Sequence, residues 1–124
     1  RDRSKSGDPN VIYVVANTGG VYLAKGGTSW TAISDERFKT NLTPITQATN
    51  KINSLRAVTG RYNEDEENVN RSFLIAQDVQ KVFPEAVDTT NPDKLGLSYT
   101  DVIPLLVAAI KELKAEIDTL KGTK

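Results

Sequence analysis

The chain contains no cysteine and no histidine. Without thiols there is no disulfide framework and no thiolate metal site, and the redox compartment stays open. Without imidazole a zinc site loses its commonest remaining ligand, so neither a metal nor a cofactor is expected. The same two absences narrow any nucleophilic chemistry. A side-chain nucleophile must be Ser, Thr, Tyr or Lys, and its base must be Lys or a carboxylate. Charge of one sign is also missing: 16 basic and 16 acidic residues give a net charge of zero. No field steers the chain to nucleic acid or to anionic lipid, and neither is expected as a partner. No apolar run approaches the roughly 20 residues needed to span a bilayer. The opening residues, Arg1-Asp2-Arg3-Ser4-Lys5-Ser6-Gly7, hold no initiator Met and no apolar signal core, which suggests a fragment of a longer protein. The glycines at 19, 20, 26 and 27 lack the spacing and the following Lys-Ser/Thr of a phosphate-binding loop.

What is present has an ordinary globular balance, 38% apolar and 26% charged over 124 residues, enough for one domain or one small domain with an appendage. The lead-in, residues 1–33, is strand-rich. Residues 1–10 read as loop. Val11–Ala16, Val21–Ala24 and Trp30–Ile33 read as short strands, separated by turns at Asn17–Gly20 and Lys25–Thr28. The first two strands are apolar on successive residues, so they need burial on both faces or cover from outside the chain. Three strands this short do not close a core alone. They fit the last turns of a β-structured, multi-chain shaft, or else a meander packed on the domain C-terminal to it.

Residues 40–124 read as helix, strand, helix, strand, helix, so the fold class is α+β. Thr43-Pro44 is a helix start, and Ile45, Ala48, Ile52 and Leu55 form one apolar stripe over about 44–56. Ala57–Asn63 is expected as a strand and Glu64–Asn68 as a solvated acidic loop without calcium-loop spacing. Ser72–Phe83 is expected as a second helix, ended by Pro84. Ala86–Asp88 and Leu95–Tyr99 would form a small hairpin. Thr100-Asp101 would then cap a helix over 101–121, with Pro104 in its first turn. Along it, Ile103, Leu106, Ile110, Leu113, Ile117 and Leu120 step by three and four, a heptad seam with Ile at a and Leu at d. So long a stripe favours self-association; side-chain preference alone points to two strands.

At the junction of these two parts stands Ser34-Asp35-Glu36-Arg37-Phe38-Lys39. Ser34 and Lys39 are the hydroxyl and amine best placed to act as nucleophile and base. The plain alternative is a polar linker in which Ser34 caps a turn.

Several blocks in order complete the pattern: Ser34–Asn41, then Leu74-Ile75-Ala76-Gln77-Asp78-Val79 with Val82-Phe83-Pro84-Glu85, then Leu97-Ser98-Tyr99 leading into Ile103-Pro104-Leu105-Leu106 and Ile110-Lys111-Glu112-Leu113. From about Ser34 to Leu120 this resembles the C-terminal intramolecular chaperone domain of phage endosialidases, tail fibres and neck appendages. Residues 1–33 resemble the end of the β-shaft that such a domain follows. The resemblance implies a homotrimer that helps the upstream β-helical shaft of the same polypeptide to fold, then cuts itself off by autoproteolysis, as a single-turnover serine endopeptidase. It implies cleavage between Ile33 and Ser34 by a Ser34–Lys39 dyad, and 34–124 as the chaperone domain. It also implies a trimer interface, for which the seam from Ile103 to Leu120 is the candidate, in place of the two-stranded preference. The site of action would be the host cytoplasm during virion assembly, with the parent protein in the virion tail or appendage. Some members place a histidine late in the domain that affects cleavage; this chain has none.

For that chemistry Lys39 must be neutral, whereas a free lysine, near 10.4, is charged at pH 7. Burial or a neighbouring cation disfavours the charge, and Arg37 is one such cation. Asp35 and Glu36 act oppositely, so they should face away or pair with Arg37. Glu36 and Arg37 are thus supporting residues. Two rival readings need no dyad: a non-catalytic trimerisation clamp of a viral fibre, and a glycan hydrolase using the acids from Glu64 to Glu67, which no cleft supports.

Overall fold

The computed structural model describes residues 21–122. It divides the chain into two units that meet at Leu42 and Thr43, and each is taken by itself.

In the first unit, β1 (Val21–Leu23) pairs antiparallel with β2 (Trp30–Ala32), Tyr22 opposite Thr31. The turn between them closes with the Gly27 N–H donating to the Ala24 carbonyl at 2.8 Å. Gly26 sits inside that turn at φ 78°, left-handed backbone that a residue without Cβ reaches freely. Val21, Tyr22, Leu23 and Trp30 are all more than half exposed or close to it. Within the single chain this hairpin therefore buries little of its apolar surface. The expected strand over 11–16 lies outside the described residues.

The second unit holds the core. Ala48, Val79, Phe83, Ala86, Val102, Leu105 and Ala109 are buried together. Ile45, Ile52, Leu55, Leu74, Val87 and Leu97 pack around them. The α+β class holds here as three helices and two small antiparallel strand pairs. One pair is β3 (Val58–Gly60) with β4 (Arg71–Phe73). The other is β5 (Val87–Asp88) with β6 (Gly96–Leu97), the hairpin expected near 86–99.

The first helix corrects the sequence reading. It is α1 (Ala48–Asn53), and Thr43-Pro44 does not start it. Gln47 takes a left-handed backbone, φ 57°, which breaks any helical run from residue 44. The orphan N–H groups of the first turn are satisfied from a distance. Glu112 accepts from the Ala48 N–H at 2.8 Å and from the Thr49 N–H and hydroxyl, each at 2.9 Å. A carboxylate from elsewhere replaces the local Thr cap.

The second helix is also shorter than expected. Ser72 and Phe73 join β4, opposite Thr59 and Val58, and α2 runs Ala76–Val82. Pro84, without an N–H, ends it and opens a 3-10 turn, Pro84–Ala86. The expected acidic loop is present and tied down. Asp65 accepts from the Tyr62 N–H at 2.8 Å and from both arms of the Arg71 guanidinium at 2.7 and 2.9 Å. Arg71 and this N–H hold the Asp65 carboxyl down to about 2. No acidic cluster among the described residues could hold a metal ion.

The last helix, α3, spans Tyr99–Gly122. It begins two residues before Asp101, so Pro104 falls in the second turn rather than the first and cannot donate to the Thr100 carbonyl. The Tyr99 hydroxyl accepts from the Leu74 N–H at 3.0 Å and anchors this end. Two stripes divide the helix. Val102, Leu105 and Ala109 face the core. The heptad residues Ile103, Leu106, Ile110, Leu113, Ile117 and Leu120 are exposed, from 43% at Leu106 to 76% at Leu120. No helix among the described residues is long and apolar enough to cross a membrane.

Candidate functional site

The six residues at the junction form one local structure in the first unit. Asp35 is extended, φ −72° and ψ 129°, and its side chain accepts from the Arg37 N–H at 2.9 Å. That contact is an N-cap, the commonest use of Asp before a helical turn. Glu36–Phe38 makes a single 3-10 turn, closed by the Phe38 N–H to the Asp35 carbonyl and the Lys39 N–H to the Glu36 carbonyl, both at 3.0 Å. Lys39 then returns to extended backbone, φ −123° and ψ 152°.

The turn sets the separation of the two side chains. Five extended residues would carry Lys39 roughly 16–18 Å from Ser34. Folded over one 3-10 turn, the Lys39 Nζ donates to the Ser34 Oγ at 2.6 Å. The two side chains proposed from sequence as nucleophile and base thus share a hydrogen bond.

Arg37 does not turn toward Lys39. Its guanidinium takes Asp35 at both oxygens, Nη2 to Oδ2 at 2.7 Å and Nε to Oδ1 at 3.1 Å. The Arg37 side chain, and then its N–H, hold the Asp35 carboxyl below its usual range. Asp35 in turn raises Arg37. Of the two expected arrangements for the acids, Asp35 adopts the pairing with Arg37. Glu36 stands in the first position of the turn and is exposed.

Every residue from Ile33 to Lys39 is exposed in the single chain. Phe38, the residue before Lys39 in the chain, is 78% exposed. The seam residues of α3 belong to the second unit. Sequence reasoning missed Glu112, because its role depends on residues more than sixty positions away. It carried no local sign beyond being one more charged residue on a helix.

Residues 34–88 match the family model described as chaperone of endosialidase. The long tail fiber protein Gp37 of Enterobacteria phage K3 is 36% identical over 96 residues, 72% of this chain. Its counterpart in Enterobacteria phage T2 matches to the same extent. The matched stretch is 8% of the first protein and 7% of the second, so the chain spans under a tenth of either relative. The family match begins at Ser34, the residue that accepts the Lys39 hydrogen bond, and with the two tail-fibre relatives it shows that this chain belongs to the chaperone-of-endosialidase family.

Proposed function

We propose that the chain is an intramolecular chaperone domain, 34–124, preceded by the end of the β-shaft it serves, and that it releases itself by cutting between Ile33 and Ser34. The observation that carries this reading is the 2.6 Å contact between Lys39 Nζ and Ser34 Oγ. The domain acts as a homotrimer on an upstream β-helical protein of a phage tail or appendage, during assembly in the host.

The steps balance within the chain and one water. Neutral Lys39 takes the proton of the Ser34 hydroxyl as the oxygen attacks the Ile33 carbonyl carbon. The proton passes to the Ser34 nitrogen as the Ile33–Ser34 C–N bond breaks, leaving an ester between Ile33 and the Ser34 side chain. Water then adds its hydroxyl to the Ile33 acyl carbon and returns a proton to Ser34 Oγ. The products are an Ile33 carboxylate and a chain that begins at Ser34.

Exposure of Lys39 in the single chain supplies the timing. An amine in water keeps its proton; an amine covered by neighbouring subunits loses the solvation that favours its charge. Cutting therefore waits for assembly. Once cut, the shaft has no covalent link to its folding aid, and its refolding loses the template, so release makes the assembled state kinetically trapped.

The exposed heptad seam of α3 supports a second reading, a trimerisation clamp that never cuts. Expression with the upstream shaft separates the two. Self-processing yields a fragment whose N-terminal residue is Ser34, seen by intact mass and N-terminal sequencing, and that fragment disappears in Ser34→Ala and Lys39→Ala. A clamp leaves the polypeptide whole in all three.

A further inference from the structure

If Ser34 and Lys39 are the cutting dyad, on which reading this inference rests, something must keep a carboxylate away from Lys39. Asp35 lies between the two members of the dyad in sequence and feels the Lys39 charge, the weakest of the influences on it. A bare carboxylate beside a lysine favours the charged amine, and a charged amine takes no proton from serine.

We infer that Arg37 is a positioning residue for self-cleavage: by occupying both oxygens of Asp35 it leaves the Lys39 amine to Ser34. The Arg37 N–H and Nε meet Asp35 Oδ1 at 2.9 and 3.1 Å, and Nη2 meets Oδ2 at 2.7 Å. Lys39 directs its Nζ to Ser34 Oγ instead. A guanidinium suits this task because its planar fork matches a carboxylate at two points and it does not deprotonate. The charged groups acting on Asp35 are Arg37, through hydrogen bonds, and Lys39, through charge alone. Remove Arg37, and Lys39 is the cation left to pair with Asp35.

The test measures cleavage of the chain with its upstream shaft across neutral and alkaline pH. The variants are Arg37→Gln, Asp35→Asn and the two combined. Asn still caps the turn, so Asp35→Asn removes the charge and keeps the local fold. Arg37→Gln is expected to cut about tenfold more slowly at neutral pH, with its pH–rate profile displaced to higher pH. Asp35→Asn and the double variant are expected to cut as the parent does. A parental profile in Arg37→Gln, or a double variant or an Asp35→Asn chain as slow as Arg37→Gln, overturns the inference. The dyad reading survives either result provided Ser34→Ala and Lys39→Ala remain uncut. Cleavage that persists in Lys39→Ala overturns both.

Discussion

The Lys39 amine lies 2.6 Å from the Ser34 hydroxyl although the two residues stand five positions apart in the chain. The one 3-10 turn between them, Glu36–Phe38, sets that distance. An arginine in place of Lys39 can still donate to the hydroxyl but holds its proton at any physiological pH. Lys39→Arg is therefore expected to slow release of the Ser34 fragment by at least about a hundredfold, the usual contribution of a general base. Parental cleavage should quicken as pH rises. Intact-mass time courses measure both, and an arginine variant that cuts at the parental rate would remove the amine from the mechanism.

Glu112 holds α1 by three hydrogen bonds to Ala48 and Thr49. Glu112→Ala should lower the Tm by roughly 5 °C, the loss expected when a helix cap is removed from a domain this small. The pH dependence has a definite sign. The Thr49 N–H first, then the Ala48 N–H and the Thr49 hydroxyl, hold the folded carboxyl below its ordinary 4.5. Its contribution is complete above that value and fades as pH falls through the lowered one. The Tm gap between parent and variant should close in acid; a gap that stays constant or widens there contradicts the cap.

Leu105 is fully buried on the core side of α3. Leu105→Ala should cost about 2–5 kcal/mol, a large share of the stability of a small domain. Denaturant titration measures it. The neighbouring Leu106, 43% exposed, should lose far less on the same change in a dissociated chain.

Ile110 lies 65% exposed in the seam. If that seam joins three copies, Ile110→Lys leaves the fold of one chain intact and prevents association. Sedimentation at matched concentration should give a monomer with native circular dichroism. A variant of unchanged mass would move the interface elsewhere.

Legibility in the sequence tracked the range of the interactions. The heptad of α3 was readable because its steps of three and four lie within one helix. The Gly26 turn and the hairpin of β5 and β6 were readable for the same reason. The start of α1 was not, since Glu112 decides it from across the unit, and a good local signal at Thr43-Pro44 lost to it. Ser72 and Phe73 looked helical by period but have β3 as partner, a contact that periodicity does not carry. At the candidate site, the absence of Cys and His narrowed the nucleophile only to Ser, Thr, Tyr or Lys, and it was the resemblance of the Ser34–Lys39 motif to the chaperone family that singled out this pair. Asp35 had two outcomes open, and only the geometry chose the one with Arg37.

Helix α3 makes its last core contact of full burial at Ala109 and continues to Gly122. Past Glu112, which still ties the helix to α1, about ten residues remain, shorter than the length at which a helix in water is even marginally stable without packing. In a lone copy these turns should fray, and in an assembly they should be clamped. The backbone itself then becomes a gauge of association: on dilution, ellipticity should fall in step with the loss of partners, with no dye or tag attached.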